Sequence, residues 1–218
     1  MTKLVTAKAE VTDEPPNRSA RKREAILDAA TEVFLRDGYL GTSMDEIAAL
    51  SEVSKQTVYK HFVSKEALFV EIVGTMTTRA GDAVHTEVEL EDGGDLRAYL
   101  EDYAYRQLVA VVTPRVMQLR RLVIGEVVRF PELGRVLYER GPLRALTALA
   151  ATFERLNARR LLKVDDPMTA ASQFNWLVMS QPLNQAMLLG DAAIPTPAWM
   201  RRHAVEGVGV FLAAYGRT

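Results

Sequence analysis

Residues 43–65 read SMDEIAALSEVSKQTVYKHFVSK, and Lys55, Gln56, Thr57, Tyr59, Lys60 and His61 crowd hydrogen-bonding side chains into one short segment. Their chemistry suits a polyanion with readable edges. Lys and Tyr donate to phosphate oxygens, Gln and Lys bond purine edges, and the Thr methyl packs against thymine. Val58 and Phe62 recur at helical spacing beneath them, so the polar groups share an outer face that can enter a major groove.

Two short helices must position that face. Ser43 and Thr42 are N-cap candidates for the first, which has Asp45 and Glu46 in its opening turn, where the dipole favours anions. Glu46 stands three residues after Ser43, the spacing of a capping box. Ile47, Ala48 and Leu50 are its apolar positions, and Ala48 is small where a second helix must cross closely. Ser51-Glu52-Val53-Ser54 breaks the pattern, and Ser54 caps a second helix over 55–62. With Val53 and Val58 wedged between the two, this is a helix-turn-helix layout. Upstream, Ile26, Ala30, Val33 and Phe34 mark one buried helical face that ends at Gly38. Downstream, Ser64 caps a further helix carrying Ala67, Leu68, Ile72, Val73 and Met76.

The rest of the chain is also helical in pattern. An acidic, Gly-rich stretch from Glu89 to Asp95 is a loop and hinge, and from Leu96 onward no β-branched alternation occurs. Breaks at Thr113-Pro114, Phe130-Pro131, Gly141-Pro142, Asp166-Pro167 and Gly190–Pro197 predict helices near 95–112, 114–129, 131–139, 142–161, 167–189 and 197–215. Pro182 predicts a kink inside the fifth of these. The expected fold is all-α, with three parts. A flexible arm covers 1–17, a three-helix helix-turn-helix domain 18–64, and a helical ligand-binding and dimerisation domain 65–218.

The composition is compatible with this. The chain of 218 residues is 48% hydrophobic and 25% charged, enough to bury a core, and its net charge of −1 leaves any nucleic-acid attraction to local clusters. The absence of cysteine removes disulfides, thiolate metal sites and cysteine nucleophiles. The opening MTKLVTAKAE lacks an apolar signal region, and no stretch is apolar enough to span a bilayer, so the expected location is cytoplasmic, without a membrane partner. His61, His85 and His203 have no metal-like spacing, and no metal or cofactor is expected. His61 is better read as a phosphate contact, and the other two as surface or satisfied histidines. No G-x-G-x-x-G, P-loop or nucleophile–base pair supports an enzyme.

The segment resembles the TetR/AcrR family of transcriptional repressors. The matching residues are Ile26-Leu27-Asp28-Ala29-Ala30 with Phe34 and Gly38, then Thr42-Ser43 and Ile47-Ala48. Val53 through Phe62 and Ser64-Lys65-Glu66-Ala67-Leu68 complete the match, which covers roughly residues 20–70. The resemblance implies a homodimer with one recognition helix in each half of a palindromic double-stranded DNA operator. It further implies that Gln56 and Thr57 face bases, and that Tyr59, Lys60, His61, Lys65 and Thr42 hold phosphates. Where relatives carry a small residue in the turn, this chain has Ser51-Glu52. A positive φ there would strain Glu52, and its carboxylate would oppose phosphate, slightly lowering affinity. Arg121-Leu122-Val123-Ile124-Gly125-Glu126 with Arg129-Phe130-Pro131-Glu132-Leu133 is similar to the C-terminal domain of AefR-like members, which accompanies regulators of efflux or metabolism.

Several features carry two readings. Arg18, Arg21, Lys22 and Arg23 are either a solvated helix start or a cationic arm on DNA. Tyr103, Met117, Phe153, Trp176 and Met179 are either plain core or the walls of a pocket for a small apolar or amphipathic ligand. Gln118, Arg121, Glu126 and Asn175 are its candidate polar anchors, although Arg121 and Glu126 also suit a simple ion pair. Trp199, Ala204, Gly207, Val208, Phe211, Leu212 and Tyr215 on the last helix face either their own domain or a second copy. The resemblance favours the dimer. The rival to a ligand-relieved repressor is a helical carrier or scaffold that has lost DNA binding.

Overall fold

The computed structural model describes residues 18–84 and 90–217. The arm over 1–17, His85 and the start of the acidic loop lie outside the described residues. Among the described residues the chain is helical. The order is α1 (Arg18–Gly41), α2 (Met44–Leu50), α3 (Lys55–His61), α4 (Lys65–Val84), α5 (Leu96–Val111), α6 (Pro114–Glu126), α7 (Pro131–Tyr138), α8 (Arg144–Ala158), α9 (Pro167–Leu189) and α10 (Pro197–Tyr215).

Local chemistry sets most boundaries. Ser54 Oγ accepts from the Thr57 amide and Ser64 Oγ from the Ala67 amide, so α3 and α4 begin where their caps stand. Asp95, Thr113, Asp166 and Thr196 cap α5, α6, α9 and α10 in the same way. Gly38 kinks α1 at φ 73°, and Glu52 occupies the turn at φ 54°, the strained region anticipated for it.

Some local expectations fail. Glu46 closes no capping box: Ser43 accepts from the Asp45 amide while the Glu46 carboxylate pairs with Arg36 on α1. Leu50 is 46% exposed rather than buried. Helix α6 stops at Glu126, and α8 stops at Ala158, where Arg160 takes φ 61°. Gly141-Pro142 does not break the chain into separate helices. A π turn over Glu139–Leu143 links α7 to α8, and its wider hydrogen-bond spacing accommodates a proline that an α-helix would reject.

Two cores result. One gathers Ile26, Phe34, Ile47, Val58, Phe62 and the first half of α4 (Leu68, Phe69, Ile72), and reaches Leu119, Val123 and Leu133 of α6 and α7. The other is built from α5, α8, α9 and α10 around Phe153, Phe174 and Phe211 and takes Val84 from the far end of α4. Helix α4 therefore contributes to both cores and joins them.

Candidate nucleic-acid interface and ligand cavity

The helix-turn-helix presents its polar face as its periodicity requires. Val58 is fully buried and Phe62 nearly so, which turns Gln56, Tyr59 and Lys60 outward. Thr57 is half-buried, its hydroxyl 2.8 Å from Ser54 Oγ. His61 is half-buried beside Phe62. Arg18 and Arg21 are exposed at the start of α1 and Lys22 is partly so. Arg23, by contrast, pairs with Glu71 at 2.6 Å and lies over the Phe62 ring, joining α1 to α4.

Three further residues have partners within the chain. Lys55 Nζ lies 2.6 Å from Asp45 Oδ1, and that carboxylate raises the ammonium pKa. The Thr42 side chain is buried and its hydroxyl donates to the Gly38 carbonyl. Lys65 Nζ donates to the Tyr39 and Thr42 carbonyls at 2.8 and 3.0 Å and sits over the Tyr39 ring. Thr42 and Lys65 thus clamp the turn that enters α2, while Ser43 stays exposed at its N-terminus.

Behind this module lies a cavity of about 360 Å³. It is walled by α4 (Met76, Thr77, Ala80), α5 (Gln107, Val111), α6 (Val116, Leu119, Arg120), the end of α7 (Tyr138), the α7–α8 link (Gly141, Pro142) and α9 (Asn175, Trp176, Met179). Of the anticipated ligand residues, Asn175, Trp176 and Met179 line it. The other six do not. Tyr103, Met117 and Phe153 are buried in the C-terminal core, where Tyr103 and Phe153 pack on Phe174. Gln118 and Arg121 face the cleft towards α1 and bind Asp191 together, each at 2.5 Å. Arg121 also donates to the Ala186 carbonyl. The Arg121–Glu126 pair is therefore replaced by Arg121–Asp191, and the two donors hold the Asp191 carboxyl below its usual range. Glu126 ends α6 near Tyr39, away from the cavity.

Two cavity residues escaped the sequence reading, and each carried a signal. Arg120 interrupts the apolar stripe Val116, Leu119, Val123, and Gln107 interrupts Leu100, Tyr103, Ala104, Leu108, Val111. A polar residue at core spacing is a candidate for facing an internal space. Gln107 is 4% exposed and donates to Asn175 Oδ1 at 2.7 Å. Its Oε1 and Arg120 Nε are buried without a hydrogen-bond partner.

Part of the face assigned to dimerisation needs correction. Ala204, Val208 and Phe211 are wholly covered by their own chain, and Gly207 is buried where a Cβ would meet the Leu177 carbonyl at 3.4 Å. Phe211 stacks on Phe153 and Tyr215, and Tyr215 donates to Gln173. Leu212 packs on the same core, and Trp199 is half-buried and stacked on His203. Ala204, Gly207, Val208 and Phe211 are thus internal, while Trp199, Leu212 and Tyr215 stay partly exposed. The exposed apolar groups of α9 and α10 include Leu188 (80%), Leu189 (71%), Val205 (40%) and Val210 (58%).

Residues 26–72 match the model of the bacterial regulatory proteins of the tetR family, and residues 98–217 match the C-terminal domain of AefR-like transcriptional repressors. A TetR-family transcriptional regulator of Mesorhizobium loti is 38% identical, covers 93% of this chain and 100% of its own, and superposes with a TM-score of 0.85. The flavonoid-responsive regulator FrrA is 33% identical, with 90% and 97% covered and a TM-score of 0.73. The transcriptional regulator YhgD of Bacillus subtilis is 28% identical over 181 residues, 79% of this chain and 93% of its own. These relatives are transcriptional regulators and not enzymes. With a helix-turn-helix at one end and the AefR-like domain at the other, this chain belongs to the TetR family of DNA-binding transcriptional regulators.

Proposed function

We propose that this protein is a homodimeric, ligand-relieved repressor that reads a palindromic operator in the cytoplasm. The observation that carries the reading is the position of α4. It forms one wall of the cavity through Met76, Thr77 and Ala80, and packs Leu68, Phe69 and Ile72 into the helix-turn-helix core. A ligand that prefers a displaced α4 would change the separation of two recognition helices set one duplex turn, about 34–36 Å, apart. In this reading Gln56 and Thr57 face bases. Tyr59, Lys60, His61 and Ser43 contact the phosphate backbone, joined by Arg18, Arg21 and Lys22 from the start of α1. Lys55 reaches DNA on exchanging Asp45 for phosphate, and Thr42 and Lys65 act by fixing the entry to α2.

The pairing surface is the outer side of α9 and α10, where Leu188, Val205 and Val210 are exposed. The effector is a small amphipathic molecule, in keeping with an apolar cavity that carries a few polar groups and with the flavonoid response named for one relative. Selection from a random duplex pool at near-physiological salt tests the proposal. Enrichment of two similar inverted half-sites is expected, and no enrichment by a folded, dimeric protein would refute it.

A further inference from the structure

We infer that the cavity selects a monoanionic amphipath whose carboxylate- or sulfonate-like head meets Arg120, with a neighbouring N–H or O–H donor on Gln107 Oε1; this rests on reading the cavity as the effector site. Arg120 is the one charged group among the described residues that line it, and the lining holds no Asp or Glu. Its Nε is buried without a hydrogen-bond partner, and burial pushes the guanidinium pKa down. An arginine nonetheless stays protonated in proteins, so the cavity wall holds an uncompensated cation. Anionic oxygens supply the charge and the acceptors that this group requires.

The second orphan has the opposite polarity. Gln107 spends an amide hydrogen on Asn175, and its Oε1 is left to accept. Most of the remaining wall is apolar, from Met76, Val111, Val116, Leu119, Met179 and Leu183, beside the hydroxyls of Thr77, Tyr138 and Ser172. An anionic head, one donor and an apolar body satisfy all three environments at once. Trp176 and Tyr138 both line the cavity and are each 53% exposed, which places its mouth between α9 and the end of α7. A molecule entering there meets Pro142 and Gly141 before α4.

The test uses two fluorescent probes of one shape. 8-Anilinonaphthalene-1-sulfonate carries the anion and an N–H donor, and N-phenyl-1-naphthylamine lacks only the sulfonate. The full-length protein is expected to bind the sulfonate about tenfold or more tightly than its neutral partner, the equivalent of one charge-assisted contact. Arg120→Met should bring the two within about twofold while still binding the neutral probe, and Ala145→Trp, which fills the cavity, should abolish both. Equal affinities in the unmodified protein, or a preference that survives Arg120→Met or Ala145→Trp, would overturn the inference. Release of operator DNA is read separately by anisotropy. Arg120-dependent anion preference without DNA release upholds the anion site and counts against the effector reading.

Discussion

His203 Nε2 lies 3.0 Å from the carbonyl of Val178, the acceptor that Pro182 leaves without a donor four residues on along α9. Proline has no N–H, so the helix passes through residue 182 with one open acceptor, and α10 fills it. The contact requires the Nε2–H tautomer and binds the two helices most directly involved in the proposed pairing surface. His203→Ala should cost about 1–3 kcal/mol in urea unfolding at fixed protomer concentration, the range for a buried acceptor left unmade. In a Pro182→Ala background, where residue 182 regains its amide, the same substitution should cost less than half as much. Equal costs in both backgrounds would separate His203 from this role.

On α3, Tyr59→Phe and Lys60→Ala should weaken binding to matched and scrambled duplexes alike, and Lys60→Ala should flatten the log–log salt dependence by about one. Gln56→Ala should cost more on the matched duplex than on the scrambled one, by about 1–3 kcal/mol for a bidentate purine contact. Titration on the two duplexes decides it. Equal losses for Gln56→Ala would remove the base-reading assignment.

The clamp at the entry to α2 predicts a different signature. Lys65→Met keeps the aliphatic stem over Tyr39 but deletes both bonds to the Tyr39 and Thr42 carbonyls. Charged hydrogen bonds of this kind contribute about 1.5–3 kcal/mol each at most, less at a partly exposed site. Thermal unfolding should therefore fall measurably along with DNA affinity. A variant of unchanged stability whose salt dependence falls by one phosphate contact would instead make Lys65 a direct DNA ligand.

The last helix separates packing from pairing. Phe211→Ala empties a fully buried site between Phe153 and Phe174 and should destabilise the fold by about 3–5 kcal/mol. Val205→Arg combined with Val210→Arg leaves that core alone and should yield monomers by light scattering, with unchanged helical circular dichroism. A dimer that survives both arginines would move the pairing surface off this side of α10.

These contrasts show what the sequence carries and what it does not. The caps at Ser54 and Ser64, the positive φ at Gly38 where the first helical run was expected to end, and the strained Glu52 are local, fixed by residues within a few positions of one another. The apolar stripe of α10 was equally legible as a buried face. Its spacing holds no information on whether the covering surface is α5 and α9 of the same chain or a second copy. The position of Arg121, a candidate anchor by its chemistry, is hidden from the sequence for a related reason. One residue turns a helix by about 100°, so Arg120 enters the cavity while Arg121 reaches Asp191, 70 positions away. The π turn lies against α4 at Thr77, a contact that a Gly-Pro pair alone does not reveal.

That docking carries the last prediction. A Cβ at Gly141 would lie 2.8 Å from Thr77 Cγ2, closer than carbon atoms approach, so the π turn and α4 touch without room for one methyl group. Gly141 and Thr77 both line the cavity. Gly141→Ala should press on α4 from the side a ligand would press from, and weaken DNA binding with no ligand present. Thr77→Ser removes the obstructing methyl and keeps the hydroxyl that donates to the Val73 carbonyl at 2.6 Å. The double variant should recover most of the lost affinity, while Thr77→Ser alone should change it little. If Gly141→Ala binds operator normally while remaining folded, the contact transmits nothing, and relief must reach the recognition helix through α6 and α7, whose Val123 and Leu133 pack into the helix-turn-helix core. If the single variant is impaired and the double is not, the displacement of α4 is itself sufficient to release DNA.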